Sequence, residues 1–277
     1  FVLKNINYAL KKNYIPIVDM KNFPTKYNEK KNIYNTKNIW ELYFDQLTNY
    51  DLSEVYRSKN VIICSNTFAV SLNDFNDYNL KKIFRNKIKI NNKIIEEANK
   101  FYKKNFSKNK KVIGIHIRGT DQKITPNHYL PPTIFDIYRI IEKEINLDSK
   151  IKFFIITEEK KYLETLKKKF NNKIFYFDSF RANKIREFNN SKRRFHRNKL
   201  GVESLKESVV FSYCNKIYYC KSNIPLFSIL LQNKIKIKKE LFNGINSKNQ
   251  IFAYYKWYIT VLPISFIKYL MSKLGLL

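Results

Sequence analysis

The apolar positions follow two rhythms along the chain. Over the first hundred residues the pattern is mixed. Residues 1–12 carry helical spacing, Ile15-Pro16-Ile17-Val18 reads as a short strand closing at Asp19, and Val61–Cys64 reads as another. Ile94 to Phe106 repeats at helical intervals, with Glu96 and Glu97 early and Lys103 and Lys104 late, the order a helix dipole favours. From Lys111 the rhythm becomes regular. Val112–Ile117 predicts an apolar strand, a helix follows around Ile134–Ile145, and Ile151–Ile156 predicts the next strand. Thr157 reads as an N-cap, with Glu158 and Glu159 in the first turn behind it. Ile174–Phe177 predicts a third strand and Ile217–Cys220 a fourth. Between them Val202, Leu205, Val209 and Tyr213 mark one face of a helix. Ser222 or Asn223 caps a last helix ending near Gln232. Such alternation implies an α/β fold whose C-terminal half is a parallel sheet flanked by helices. The polar Ser-Lys-Asn-Lys stretch at 107–110 separates an N-terminal α/β domain, residues 1–108, from a second α/β domain, 109–245, with an aromatic and basic tail at 246–277.

Open parallel sheets bind ligands beyond the carboxyl ends of their strands. Those ends carry Arg118, Gly119, Thr120 and Asp121 after the first strand and Thr157 after the second. Asp178 and Ser179 follow the third, and Ser222 and Asn223 the fourth. Strand alternation puts Ile113, Ile115 and Ile117 on one face and Gly114 and His116 on the other. Gly114 leaves room for a ligand or for a closely packed helix. His116 is either a satisfied core histidine or a ligand contact. The Arg118 guanidinium is a planar cationic fork suited to a diphosphate, and Asp121 is placed to pair with it.

Composition narrows the chemistry. Lys and Arg number 53 against 23 Asp and Glu, a net charge of +30, which favours anionic partners. Only nine of those cations are Arg, so Arg placement says more than total charge. Cys64, Cys214 and Cys220 have no disulfide or metal-ligand spacing, which fits a reducing compartment, and His116, His128 and His196 are too few for a histidine-rich metal centre. Five Gly allow neither a dinucleotide fingerprint nor a phosphate-binding Walker loop. Asp74-Phe-Asn-Asp77 has the wrong spacing for a metal-holding carboxylate pair, so no metal ligands are expected. Arg181, Arg186, Arg193, Arg194 and Arg197 crowd into seventeen residues with His196, either as a solvated basic loop or as a lid beside the site. Nucleic-acid binding is the competing reading of the charge, but the aromatics do not interleave with this cluster. The chain opens at Phe1 without a signal-peptide pattern, and a preceding segment is expected to have been removed.

His116-Ile-Arg118-Gly-Thr-Asp121 resembles the HxRxTD-type signature of the fucosyltransferases related to the alpha-1,6 and protein O-fucosyl enzymes. A second block is similar to the same family. It runs through Leu205-Lys-Glu207, Phe211-Ser-Tyr-Cys-Asn215, Ile217-Tyr218, Ser222-Asn223 and Leu226-Phe227-Ser228. Thr157-Glu158-Glu159 resembles its Thr-acid-acid step, and Tyr14–Asp19 and Asn38–Gln46 look like segments of bacterial members found among surface-glycan genes. The likeness runs from about residue 14 to 235. It implies a GT-B-like pair of Rossmann-type domains and a metal-independent, inverting transfer of fucose from GDP-fucose to a saccharide hydroxyl, with no cofactor beyond the nucleotide-sugar donor. It further implies that Arg118 and Ser222 contact the diphosphate and that His116 and Glu207 lie near the nucleoside. Thr157, Asp178 and Asn223 complete the expected donor-binding set. Here Gln122 follows Asp121 where the alpha-1,6 branch has Lys. No Glu follows it in the stretch 122–132, so either His128 or Asp121 itself acts as base, or the sequence identifies no dedicated base.

The tail carries the uncharged run Trp257–Ile267, bracketed by Lys256 and Lys268 and interrupted by Pro263. It is too short to span a bilayer, for which about 20 apolar residues are needed. Its aromatic residues and lysines suit an anionic membrane surface, or else a helix closing the fold. The first alternative places a cytoplasmic enzyme on the inner membrane face, acting on a lipid-linked glycan acceptor in lipopolysaccharide or capsule synthesis.

Overall fold

A computed structural model describes residues 2–29, 32–33, 36–64, 78–107, 111–182, 184, 192–231 and 237–260. Strand β1 (Val112–Ile117) is buried along its whole length, as a run of β-branched residues without interspersed charge requires. It pairs in parallel with β2 (Lys152–Thr157) on one side and β4 (Lys216–Tyr219) on the other. β3 (Ile174–Phe175) and β5 (Ile237–Glu240) add the edges, so the all-parallel sheet has the order β3-β2-β1-β4-β5.

Helices cover both faces. α6 (Ile134–Leu147) and α7 (Lys160–Phe170) pack Ile137, Ile141, Leu163 and Leu166 against Ile113, Ile115, Phe153 and Ile155. On the other face α5 (Asn92–Phe106) and α8 (His196–Ser212) place Ala98, Phe106, Val210 and Phe211 against Phe154, Ile156 and Ile217. α9 (Asn223–Leu231) follows β4 on that same side. The chain therefore winds one way from β1 and the other way from β4, and the strand order reverses between these two strands. A crevice opens at their carboxyl ends in sheets of this kind.

Gly114 explains how tightly α8 is laid down. A Cβ there would stand 2.5 Å from the Phe211 ring and 3.1 Å from Cys214 Sγ, so the glycine serves helix packing and not a ligand. The start of α6 is fixed locally: Thr133 Oγ1 accepts the Asp136 N–H while an Asp136 oxygen accepts the Thr133 N–H, a capping box.

Several expectations change. Ile15–Val18 and Val61–Cys64 form no strand; Ile62 and Ile63 are exposed, and the Val18 amide bonds to the Gln46 side chain instead of to a ladder. The third strand ends at Phe175, two residues early. Thr157 closes β2, and the next helix starts behind Glu159, which makes no side-chain cap bond. Among the described residues the N-terminal half supplies helices and no second sheet. α1 (Val2–Lys11), α2 (Trp40–Tyr43), α3 (Leu52–Arg57) and α4 (Tyr78–Lys87) precede α5. Phe44 and Phe84 pack on Phe227 of α9, and Tyr43 and Ile94 join the core beneath α8. α10 (Gln250–Thr260) ends the described chain.

Candidate functional site

At the carboxyl end of β1, Arg118 donates its backbone N–H to Cys220 Sγ at the end of β4 (3.5 Å), which ties the two strand ends together. Its guanidinium is about one-third exposed and held by two carboxylates. Nη2 lies 3.0 and 3.2 Å from the Asp121 oxygens, and Nη1 lies 3.4 Å from Glu158 Oε2. Burial works against the Arg118 charge, but Glu158 and Asp121 outweigh it and hold the guanidinium above its usual pKa. Glu158 also accepts from Thr120 Oγ1 (2.8 Å) and from the Gly119 N–H (3.4 Å). One carboxylate thus shapes the turn and aims the cation. Gly119 is needed there because a Cβ would meet Glu159 Oε2 at 2.6 Å. Tyr27, 42% exposed, arrives from the N-terminal half. Partial burial raises its phenol pKa, Arg118 lowers it and Glu158 raises it.

Behind this turn, Lys123 Nζ pairs with Glu159 at 2.5 and 2.7 Å beneath the rings of Trp257 (4.1 Å) and Tyr162 (4.9 Å). The pair is buried, so each charge depends on the other.

The other expected residues fall into different settings. His116 is 2% exposed; burial first, and then Arg118, push its pKa down to about 3, so the imidazole is neutral, and Nδ1 has no hydrogen-bond partner. Thr157 is buried, its Oγ1 accepting the Glu159 N–H at 3.2 Å. Ser222 and the exposed Asn223 lead into α9, and the Ser222 carbonyl accepts the Leu226 N–H. The amides of that first turn therefore face the crevice end of the sheet. Asp178 is exposed beyond β3. His128 is exposed on the turn after Asp121, its carbonyl accepting the Asn246 N–H at 2.7 Å.

Glu207 is buried in α8, where Oε1 accepts from Ser179 Oγ (2.8 Å) and from Arg181 Nη2 (3.3 Å). Burial raises its pKa to about 7, against the opposing pull of Arg181 and Ser179. The arginine cluster is mostly consumed internally. Arg181 pairs with Glu207, Arg193 with Glu203 (2.5 Å), Arg194 stacks over Phe195 and Arg197 donates to the Lys26 carbonyl. Arg186, Asp74, Asp77 and residues 261–277 lie outside the described residues. Among the described residues no group of three or more His, Cys, Asp or Glu side chains is placed to hold a metal ion.

Sequence reasoning singled out Arg118, Asp121 and Glu207 through their motifs. It named Arg181 only as one of an arginine cluster read as a solvated loop or a lid, and did not pair it with Glu207, because the two stand 26 positions apart in the chain with no spacing to link them.

No family model matches the sequence. No curated protein matches it either. Among solved structures, the chain is similar to NodZ alpha-1,6-fucosyltransferase soaked with GDP-fucose, with 17% identity over 56% of this chain and 47% of that one and a TM-score of 0.40. It is also similar to fucosyltransferase NodZ from Bradyrhizobium, with 13% identity over 80% and 68% of the two chains and a TM-score of 0.42. POFUT1 in complex with GDP-fucose is a third, with 10% identity over 60% and 50% and a TM-score of 0.39. The aligned part thus amounts to just under half the length of the first of these chains.

Proposed function

We propose that this chain is a metal-independent, inverting glycosyltransferase, its donor half of GT-B type, that transfers fucose from GDP-fucose to a saccharide hydroxyl. The observation that carries the reading is the position of Arg118. A cation aimed by two carboxylates stands at the reversal point of a β3-β2-β1-β4-β5 parallel sheet, with the amides opening α9 nearby. The motif that contains it supports the choice of donor. In the transfer, the acceptor hydroxyl oxygen attacks the anomeric carbon, the bond to the diphosphate breaks, and GDP leaves with the bonding pair. Arg118 stabilises the charge that develops on the diphosphate, and Ser222 with the first amides of α9 adds hydrogen-bond donors. The hydroxyl proton passes to a base. Of the two groups expected in that role, Asp121 stands at the cation and His128 on the exposed turn beside it.

Thermal denaturation in the presence of GDP, UDP, CMP and dTDP tests the donor. GDP at a hundred times its dissociation constant should stabilise by about 2.7 kcal/mol, and a larger shift with UDP would overturn the choice. Arg118→Ala should lower kcat by several orders of magnitude and Arg118→Lys should not restore it, because a point charge lacks the planar fork. Turnover should survive EDTA.

On the acceptor side, we propose that the enzyme works on a lipid-linked glycan of lipopolysaccharide or capsule synthesis and docks on an anionic bilayer. Ile251, Phe252, Tyr254, Tyr255, Tyr258 and Ile259 of α10 are 47–69% exposed, while Ala253 is fully buried and Trp257 turns inward. Lys256 stands within this aromatic face, and the chain as a whole carries +30. No helix among the described residues is long and apolar enough to cross a membrane.

A further inference from the structure

We infer that Asn246 and Trp257 are positioning residues for Arg118: residues 244–257 form a strap over the loop that follows β1, and the strap fixes where the guanidinium stands. The inference rests on the nucleotide-donor reading above only in giving Arg118 a diphosphate to meet. The strap runs antiparallel to the loop. Asn127 N–H donates to the Ser247 carbonyl (3.1 Å), Asn246 N–H to the His128 carbonyl (2.7 Å) and Leu130 N–H to the Gly244 carbonyl (2.9 Å), with Tyr129 bridged to Ile245. The Asn246 side chain, in a residue only 3% exposed, ties the loop to α10 as well. Its Nδ2 lies 3.2 Å from the carbonyls of both Lys123 and Thr125 and 3.1 Å from that of Ala253, while Oδ1 accepts the Ser247 N–H (2.9 Å). A buried amide with this many partners holds its neighbours in one arrangement. Trp257 supplies the second hold. Its Nε1–H donates to the Pro131 carbonyl (3.4 Å), and its ring covers Lys123 Nζ at 4.1 Å.

From these anchors to Arg118 the path is short. Thr125 N–H (3.0 Å) and Oγ1 (2.8 Å) both donate to the Asp121 carbonyl, and Gln122 N–H donates to the Gly119 carbonyl (3.0 Å). Residues 119–125 are therefore one compact turn, nailed at its far side by Asn246. Asp121 on that turn carries the carboxylate that accepts from Arg118 Nη2. The two carboxylates after β2 divide the remaining work. Glu158 holds Arg118 Nη1, and Glu159 holds Lys123, with the Glu159 and Lys123 side chains 10% and 8% exposed. Lys123, kept in place by Trp257 and by its own carbonyl on Asn246, thus turns Glu159 away from the guanidinium. An arginine side chain has rotamer freedom enough to follow whichever carboxylates move, so loosening the turn loosens the fork.

The preference for GDP over GMP measures the hold of Arg118 on the second phosphate. Calorimetric titration of the full chain should give the wild type a preference of roughly tenfold or more, the size of a hydrogen bond to a charged donor. Asn246→Ala and Trp257→Leu open the strap at different points. Each should keep its affinity for GMP and lose most of the GDP preference, whereas Trp257→Phe, which leaves a ring over Lys123, should retain most of it. In an Arg118→Ala background neither substitution should change the preference further, because residues that act through one another are not additive. The Trp257 variants carry the test if Asn246→Ala does not fold. An undiminished preference in the folded variants, or equal losses for GDP and GMP, would make the strap merely structural and overturn the inference. A further loss of preference in the Arg118→Ala background would overturn it too. Equal binding of GDP and GMP by the wild type would bring down the diphosphate role of Arg118, and the inference with it. Binding of uridine in place of guanine nucleotides would bring down the choice of donor alone, and the preference for UDP over UMP would then decide the inference.

Discussion

His116 shows how one side chain reports on its surroundings. It sits at the end of an apolar strand, excluded from water and close to the Arg118 charge, and its pKa falls from 6.5 to about 3. Above pH 6.5 the imidazole is neutral in both folded and unfolded chains. Below pH 6.5 the unfolded chain takes up a proton that the folded chain refuses, so this contribution to stability is lost as the pH drops toward 3. The slope reaches at most about 1.4 kcal/mol per pH unit. Urea melts of the wild type and His116→Gln at pH 7.5, 5.5 and 4.5 should show the wild type losing ground to the variant as acidity rises. A constant difference would mean that the imidazole meets solvent. Whether this residue was a core histidine or a ligand contact could not be decided from the strand pattern, which gives its face but not what covers that face.

At the scale of elements, close packing of α8 on β1 depends on Gly114. Gly114→Ala would push a methyl group into the Phe211 ring, and overpacking of this kind costs about 1–3 kcal/mol. Denaturant titration should show a lower midpoint with unchanged slope, and Phe211→Leu in the same background should recover part of the loss. Equal midpoints would mean that the ring moves aside freely. Elements were legible where the apolar pattern is regular, continuous in the strands and helically spaced in the helices. β1, β2, α5 and α6 coincide closely with their apolar runs. β5 was missed because Ile237-Lys-Lys-Glu240 is an exposed edge strand with no periodicity to reveal it. Ile15–Val18 and Val61–Cys64 were over-read for the opposite reason: a β-branched run becomes a strand only where a neighbouring strand offers it a ladder.

Across the whole molecule, the turn bearing Arg118 is tied to the end of the described chain. The Lys123–Glu159 pair beneath Trp257 joins that turn, α7 and α10. α10 is thereby fixed by Trp257 and Ala253 with its aromatic face outward. Sedimentation with vesicles containing anionic lipid should retain the full chain at low salt and release it progressively as salt rises. Replacing Phe252 and Tyr255 by Ser should weaken retention without altering the melting temperature, since both side chains are exposed. Failure of the wild type to bind anionic vesicles would end the membrane proposal.

The amino-acid sequence by itself determined the parallel α/β half. Strand and helix periods are local properties, and a six-residue apolar strand flanked by amphipathic helices has few other ways to bury itself. It also set Arg118 beside Asp121, because a short motif at a strand end keeps its neighbours at fixed distance whatever else the chain does. Only the tertiary structure decided that Glu158 meets that arginine, that Arg181 occupies one side of Glu207, and that the N-terminal half folds against the sheet as helices. Those contacts join residues far apart in the chain, and their geometry is set by the packing of α8, α9 and the N-terminal helices on one face of the sheet. No local spacing in the sequence records that packing.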